Sequence, residues 1–273
     1  MALEAFYLPA AAGQRFCLLH RPDAQVPRRG AVVYVHPFAE EMNKSRRMAA
    51  LQARALAAAG HAVLQIDLHG CGDSSGDFGE ASWESWLDDV QMAYTWLQQR
   101  SGGDLWLWGL RTGCLLASET AARIGRPSNL LLWQPVLSGK QFLQQFLRLK
   151  LAGEMLGGDS KGVMDRLRAQ LAQGESVEVA GYLLSPGLAN GLERAELLPA
   201  AQLARIEWIE LSAKPDGSLS PLAGARLETW RAAGLDARGR VVNGPAFWQT
   251  AEIAECPALL AASMLAMAAV AHA

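Results

Sequence analysis

Residues 104–118, Asp-Leu-Trp-Leu-Trp-Gly-Leu-Arg-Thr-Gly-Cys-Leu-Leu-Ala-Ser, join a short apolar run to a segment with small and apolar residues at helical spacing. Leu105–Trp108 reads as a strand covered on both faces, and Cys114–Ile124 reads as a helix. Between them stands Gly109-Leu110-Arg111-Thr112-Gly113. Two small residues framing the turn permit a sharp strand-to-helix elbow that lifts the central side chain above a sheet. In the Gly-x-Ser-x-Gly form of this elbow the central residue is a nucleophile. Here it is Arg111, a permanent cation with no nucleophilic capacity near neutral pH. The frame is that of an enzyme, and the usual reagent is missing.

The rest of the chain fits a sheet around that elbow. Phe16–Leu19, Ala31–Val35, Ala62–Leu68, Asn129–Val136, Ile206–Leu211 and Gly239–Val242 read as further strands. Their lack of polar alternation predicts a mostly parallel sheet with helices on both faces, an α/β fold. Asn43 is the expected cap of a helix running to Ala59, and Ser82 or Trp83 opens another that reaches Gln99. From Leu137 to Leu203 the alternation stops. No strand is predicted there, only helical stretches over 139–156, 161–173 and 191–202. An insertion of this size between two sheet strands predicts a helical cap, because structureless loops of such length are uncommon. Residues 1–136 and 204–273 are therefore expected to form the core, and 137–203 the cap.

Composition sets limits on partners. With 273 residues, 51% of them apolar, the chain can bury a full core. A formal charge of −2 gives no footprint for nucleic acid. Cys17, Cys71, Cys114 and Cys256 form no Cys-x-x-Cys pair, which predicts reduced thiols and a cytoplasmic location. Met1–Ala11 contains Glu4 and Pro9 and reads as a strand rather than a secretory signal. Pro257–Ala271 is apolar but short for a membrane span, so a packed terminal helix is expected, not an integral membrane protein. No cofactor and no metal site are expected.

Local motifs carry a resemblance. His36-Pro37-Phe38 follows the first parallel strand, and Asp67-Leu68-His69-Gly70-Cys71-Gly72-Asp73-Ser74-Ser75-Gly76 forms a glycine-rich loop. With the elbow, these resemble the α/β-hydrolase fold over nearly the whole chain, specifically its serine aminopeptidase-like and monoacylglycerol-lipase-like members. More narrowly, residues 36–47 (His-Pro-Phe-Ala-Glu-Glu-Met-Asn-Lys-Ser-Arg-Arg), Gly109-Leu110-Arg111 and Phe247-Trp248 resemble the second hydrolase-like protein of the exosortase A system. That resemblance implies a bacterial setting of exopolysaccharide synthesis and PEP-CTERM protein sorting.

The family's triad runs nucleophile, acid, histidine. Arg111 holds the nucleophile position. Asp216, in Pro215-Asp216-Gly217 after the strand that follows the cap, is the best acid, with Glu210 a poorer one; a Pro-Asp-Gly turn is equally an ordinary surface turn. After the last strand the chain reads Pro245-Ala246-Phe247-Trp248, without a histidine, and His272 lies in the tail. Ser-His catalysis is thus not expected. His36, Asp216 and Arg111 are the candidate remnants of the catalytic region. Arg111, Phe38, Glu41, His69, Cys71, Gln134 and Trp248 are candidate ligand contacts, since open α/β sheets bind ligands beyond the carboxyl ends of their strands.

Arg111 has two readings at this point. It pairs internally with Glu40, Glu41 or Asp216, or it anchors an anionic ligand such as a carboxylate, phosphate or acidic sugar through its fork. Arg46 and Arg47 are placed on the same rim. Three functions of different kinds follow: a binding protein for an anionic small molecule or carbohydrate-linked intermediate; a hydrolase or transferase with a relocated mechanism through Cys71 with His69 or His36, or through a positioned water; and a protein-interaction subunit docking through a cap stripe of Phe142, Phe146, Leu149 and Met155. Cys114 reads as core packing, and Ser74 and Ser75 as turn caps.

Overall fold

Strands made of consecutive apolar residues must have both faces covered, and that requirement orders the sheet. The computed structural model describes residues 2–155, 162–214 and 217–268. The chain forms β1 (Ala2–Pro9), β2 (Gln14–Arg21), β3 (Gly30–Val35), α1 (Glu40–Ala58), β4 (His61–Ile66), α2 (Trp83–Gln98), β5 (Asp104–Leu110), α3 (Gly113–Ile124) and β6 (Ser128–Trp133). It then leaves the sheet for α4 (Gly139–Met155), α5 (Val163–Ala172), β7 (Val177–Val179), β8 (Tyr182–Leu184) and α6 (Pro186–Arg194). It returns through β9 (Leu203–Ser212), α7 (Pro221–Ala232), β10 (Ala237–Asn243) and α8 (Pro257–Met267).

Eight strands make one sheet in the order β1-β2-β4-β3-β5-β6-β9-β10. All its pairings are parallel except β1 with β2 and β2 with β4. The central strands β3 and β6 are buried along their whole length, as their unbroken apolar runs demand. Each face has its own core. One includes residues of α2, α3 and the excursion between β6 and β9, and the other packs α1 and α8 over Tyr34, Trp108 and Trp133. No helix among the described residues is long and apolar enough to cross a membrane.

Three local expectations change. Asn43 does not cap α1: the helix begins at Glu40, and the Asn43 amide donates to Glu40 Oε2 at 3.0 Å from inside it. The segment 137–203 is not wholly helical, because β7 and β8 pair as an antiparallel hairpin. Three-residue strands are too short to show a period. The third helical stretch lies at Pro186–Arg194, starting earlier than expected, because the Ser185 hydroxyl accepts the Leu188 N–H and Pro186 takes the first helical position.

The excursion is seated tightly on the core. The Ser185 hydroxyl also donates to the Ala81 carbonyl. Phe142 and Phe146 of α4 set their rings edge-on to Phe38, at 5.6 and 5.0 Å between centroids. A Cβ on Gly191 would lie 2.1 Å from Trp83 Cβ, so only glycine lets α6 approach α2 this closely. Alanine in a helix interior ordinarily stabilises by about 1 kcal/mol relative to glycine. Here Gly191→Ala is expected to destabilise by about 1–3 kcal/mol, because overpacking outweighs propensity. Urea unfolding of the variant reads the sign directly, and a more stable variant would mean that α6 is loosely held.

Candidate functional site: the elbow arginine

The elbow forms where β5 turns into α3. A Cβ on Gly113 would stand 2.3 Å from the Val35 carbonyl oxygen, and one on Gly109 would stand 2.6 Å from the Cys114 nitrogen. Both glycines are required by contact. Arg111 takes φ 56°, a left-handed conformation costly for a side-chain-bearing residue. It is held there by backbone: its N–H donates to the Trp133 carbonyl at 3.0 Å, and its carbonyl accepts the Cys114 and Val136 N–H groups at 3.1 and 3.3 Å. Ala39 (φ 50°) and Gln134 (φ 42°) are likewise left-handed, so strain collects just beyond the carboxyl ends of β3, β5 and β6.

The Arg111 side chain is mostly buried. Its Nε donates to Glu41 Oε1 at 3.2 Å, and its guanidinium lies over the Trp248 ring, 5.3 Å from the centroid. Glu41 reaches it from the first turn of α1, beside the strained Ala39. The second carboxylate oxygen, Oε2, is buried without a hydrogen-bond partner. Burial therefore pushes the Glu41 carboxyl above its ordinary value, more than the charge and hydrogen bond of Arg111 pull it down. Among the described residues, neither Arg111 Nη atom has a hydrogen-bond partner, so the outer edge of the guanidinium is uncommitted. Of the three candidate carboxylates, Glu41 is the one seen in contact with Arg111. Glu40 turns instead to Asn43 and the Tyr182 hydroxyl, and Asp216 lies outside the described residues, as does His272.

The other candidates are engaged elsewhere. His36 Nδ1 donates to the Pro37 carbonyl at 2.8 Å, and Nε2 accepts the Leu68 N–H at 3.2 Å, so both ring nitrogens hold backbone. Burial keeps its imidazole below the usual pKa. His69 is fixed through its main chain, donating to Asp89 Oδ2 and accepting from Trp86 Nε1, while its own Nδ1 is buried and unpartnered. Cys71 is buried, and burial, with Asp67 and Asp89 adding to it, pushes its thiol well above the ordinary range. Cys114 is buried beneath the elbow with its thiol raised in the same way. The Ser74 hydroxyl donates to the Asp67 carbonyl and accepts the Phe16 N–H, and Ser75 accepts from the Gln14 N–H. Gln134 Oε1 accepts the Leu211 N–H at 2.7 Å and so joins two strands. Glu210 accepts from Ser220 and Trp208, fastening the start of α7. Phe38 is at the centre of an aromatic cluster with Phe78, Trp86, Phe142 and Phe146.

The basic rim is also committed. Arg46 pairs with Asp67 at 3.1 Å, Arg47 with Glu255, and Lys44 donates to the Ala251 carbonyl. A buried pair that local patterns could not disclose is Arg15 with Asp89, whose Nε meets both carboxylate oxygens at 2.8 Å across 74 positions of sequence. Past β10, where the family's histidine is expected, Phe247 is fully buried against Trp133 and Trp248. Among the described residues, no three His, Cys, Asp or Glu side chains gather as a metal-ligating group.

A mostly parallel sheet flanked by helices, with a strained elbow at the end of a central strand, defines an α/β-hydrolase fold. The sequence pattern of one family within that fold, described as serine aminopeptidase, S33, matches residues 26–170, and the chain belongs to that family. The fold is similar to solved structures across nearly the whole chain. Est1E from Butyrivibrio proteoclasticus, with ferulic acid bound, shares 12% identity at a TM-score of 0.62, covering 96% of each chain. A proline iminopeptidase-related protein from Thermus thermophilus shares 19% at 0.60, covering 98% of each. A carboxyl esterase from Bacillus coagulans in complex with glycerol shares 16% at 0.61, covering 89% of this chain and 91% of its own. No curated protein matches the chain significantly.

The Glu41–Arg111 contact sets a pH dependence. A glutamate whose folded pKa lies above its unfolded value of about 4.3 binds more protons when folded, so stability falls as pH rises through that interval. Arg111→Ala removes both influences that lower the Glu41 pKa and widens the interval. The variant is expected to lose about 3 kcal/mol near neutral pH, with a much smaller deficit below the ordinary glutamate value. Arg111→Ala combined with Glu41→Gln should flatten that dependence. Thermal melts of the three proteins across acid to neutral pH measure it, and a deficit independent of pH would show that the pair is not what holds Glu41.

Proposed function

We propose that this chain is a binding member of the S33 hydrolase family that has left acyl-enzyme chemistry and uses Arg111 to anchor an anionic group beneath the 137–203 cap. The observation that carries this reading is the half-used guanidinium at the elbow. Glu41 engages Nε alone and fixes the plane, Trp248 covers one face, and the Nη edge is left to receive a carboxylate, a phosphate or an acidic sugar. The start of α3 adds favourable partial charge for an anion.

The motifs shared with the exosortase A-associated hydrolase-like protein support a setting in bacterial exopolysaccharide synthesis and PEP-CTERM sorting. They favour a sugar acid or a carbohydrate-linked phosphate as ligand, and the scattered cysteines favour a cytoplasmic location. The other readings draw less support. A thiol nucleophile at Cys71 needs a thiolate that burial opposes, and His36 has no free nitrogen to act as its base. Docking of a protein partner through the α4 stripe is weakened because Phe142 and Phe146 face inward, leaving Leu149 exposed; the Met155 side chain lies outside the described residues.

Two measurements test the proposal. Uronic acids and sugar phosphates should raise the melting temperature of the wild type. Arg111→Lys, which keeps charge but loses the planar fork, should weaken that binding by about 1–3 kcal/mol. Activated esters such as p-nitrophenyl butyrate should show no enzymatic turnover, and a fluorophosphonate probe should leave Ser74 and Ser75 unlabelled. Turnover abolished by substitution of either serine, or anion binding indifferent to Arg111→Lys, would overturn the reading.

A further inference from the structure

A cavity lies between α1 and the strands β2, β3 and β4. It encloses about 190 Å³ and opens beside Arg46. Phe16, Leu18, Met42, Ala50 and Ile66 supply apolar walls. Tyr34, Gln65 and Asp67 supply polar groups, and His36 also lines it with both ring nitrogens held by backbone. Tyr34 is only 5% exposed, packed on Trp108 with ring centroids 4.3 Å apart. Its hydroxyl has no hydrogen-bond partner among the described residues, yet it is not among the sealed polar atoms, so it meets the cavity space. Within the cavity the hydroxyl is a donor and acceptor that no described protein group answers, open to water or to a ligand.

The neighbouring groups fix what could answer that hydroxyl. Gln65 gives its carbonyl to His20 Nε2 at 2.9 Å, which leaves its amide N–H groups as donors. Asp67 Oδ2 is taken by Arg46 and by the Asp73 N–H, both at 3.1 Å, while Oδ1 accepts from no described group. The Arg46–Asp67 pair neutralises itself at the rim, and Gly72 closes over it, since a Cβ there would stand 2.0 Å from Asp67 Oδ2. A charged ligand would find no unpaired opposite charge to repay its desolvation. An oxygen able both to accept and to donate would suit Tyr34, Gln65 and the free Asp67 oxygen together. For size, a dry apolar cavity of about 150 Å³ takes up benzene.

We infer that this cavity is a binding site for a small uncharged hydroxylated ring of phenol type, with its hydroxyl on Tyr34 and Gln65 and its ring among the apolar walls. It stands independently of any role for Arg111. The test uses the whole protein with phenol as probe and benzoate as its charged counterpart, followed by ligand-observed NMR and thermal melts. Phenol should bind more tightly than benzoate. Tyr34→Phe should weaken phenol about two- to tenfold, the range of one neutral hydrogen bond. Ala50→Leu, which fills the cavity, should abolish binding, and Leu18→Phe serves the same purpose if that variant fails to fold. Arg111→Lys should leave phenol binding intact. The inference is overturned if phenol does not bind and the cavity holds water only, if benzoate binds equally well, or if phenol affinity ignores the cavity variants or follows Arg111→Lys.

Discussion

The close approach of α3 to β3 is the contact on which the architecture turns. Gly113 sits where any side chain would meet the Val35 carbonyl, and Gly109 sits against Cys114. The turn can be that sharp only because both are glycine, and its sharpness leaves Arg111 with a left-handed backbone. Such a conformation costs on the order of 1–3 kcal/mol and persists only where its surroundings over-determine it. Here Trp133, Cys114 and Val136 provide that restraint through three backbone hydrogen bonds. The adjoining strand β6 therefore holds the elbow whatever side chain stands on it. This explains how a residue without nucleophilic capacity can occupy the position without dissolving the turn.

Buried ion pairs do the corresponding work for the loops. Arg15 grips Asp89, and Asp89 in turn accepts the His69 N–H, so β2, α2 and the glycine-rich loop are tied at one carboxylate. Asp67 joins the same loop to α1 through Arg46. Within the sheet itself, fully buried Glu207 accepts from both Arg205 and Arg240 and ties β9 to β10. Pairs of this kind add little net stability but are severe when broken, because the remaining charge is stranded. Loop shape at the strand ends is thus fixed by charge pairing that owes nothing to a catalytic triad. The hydrogen bonds of His36, Ser74, Gln134 and Glu210 have the same character: each side chain restrains backbone.

Much of the sheet is legible in the sequence because its central strands are unbroken apolar runs and its helices carry ordinary stops. The elbow is legible because two glycines at fixed spacing have few other uses. What escapes is non-local or too short to be periodic. Nothing near Arg15 signals a partner 74 residues away. The β7–β8 hairpin offers three residues per strand, fewer than an alternation needs. Asn43 looks like a cap, yet the helix starts three residues earlier because Ala39 accepts a strained conformation that no propensity favours. At the site, sequence leaves Arg111 a choice among Glu40, Glu41 and Asp216. Helical phase puts Glu41 on the elbow side and Glu40 toward Tyr182, a distinction of one residue that only the placement of α1 resolves.

That placement bears on what the arginine is for. An arginine retained only to neutralise Glu41 would be expected to meet it through two parallel hydrogen bonds, the strongest geometry open to the pair. The contact instead uses one nitrogen and one oxygen, at 3.2 Å, and leaves Glu41 Oε2 buried without a partner. Burial works against the charged carboxylate, and the charge and hydrogen bond of Arg111 oppose that burial. The place of Glu41 in the first turn of α1 also favours negative charge. Trp248 adds a further restraint on the guanidinium without consuming a donor. The guanidinium is thus oriented by two neighbours, Glu41 through Nε and Trp248 across its face, with neither Nη atom bonded to a described group.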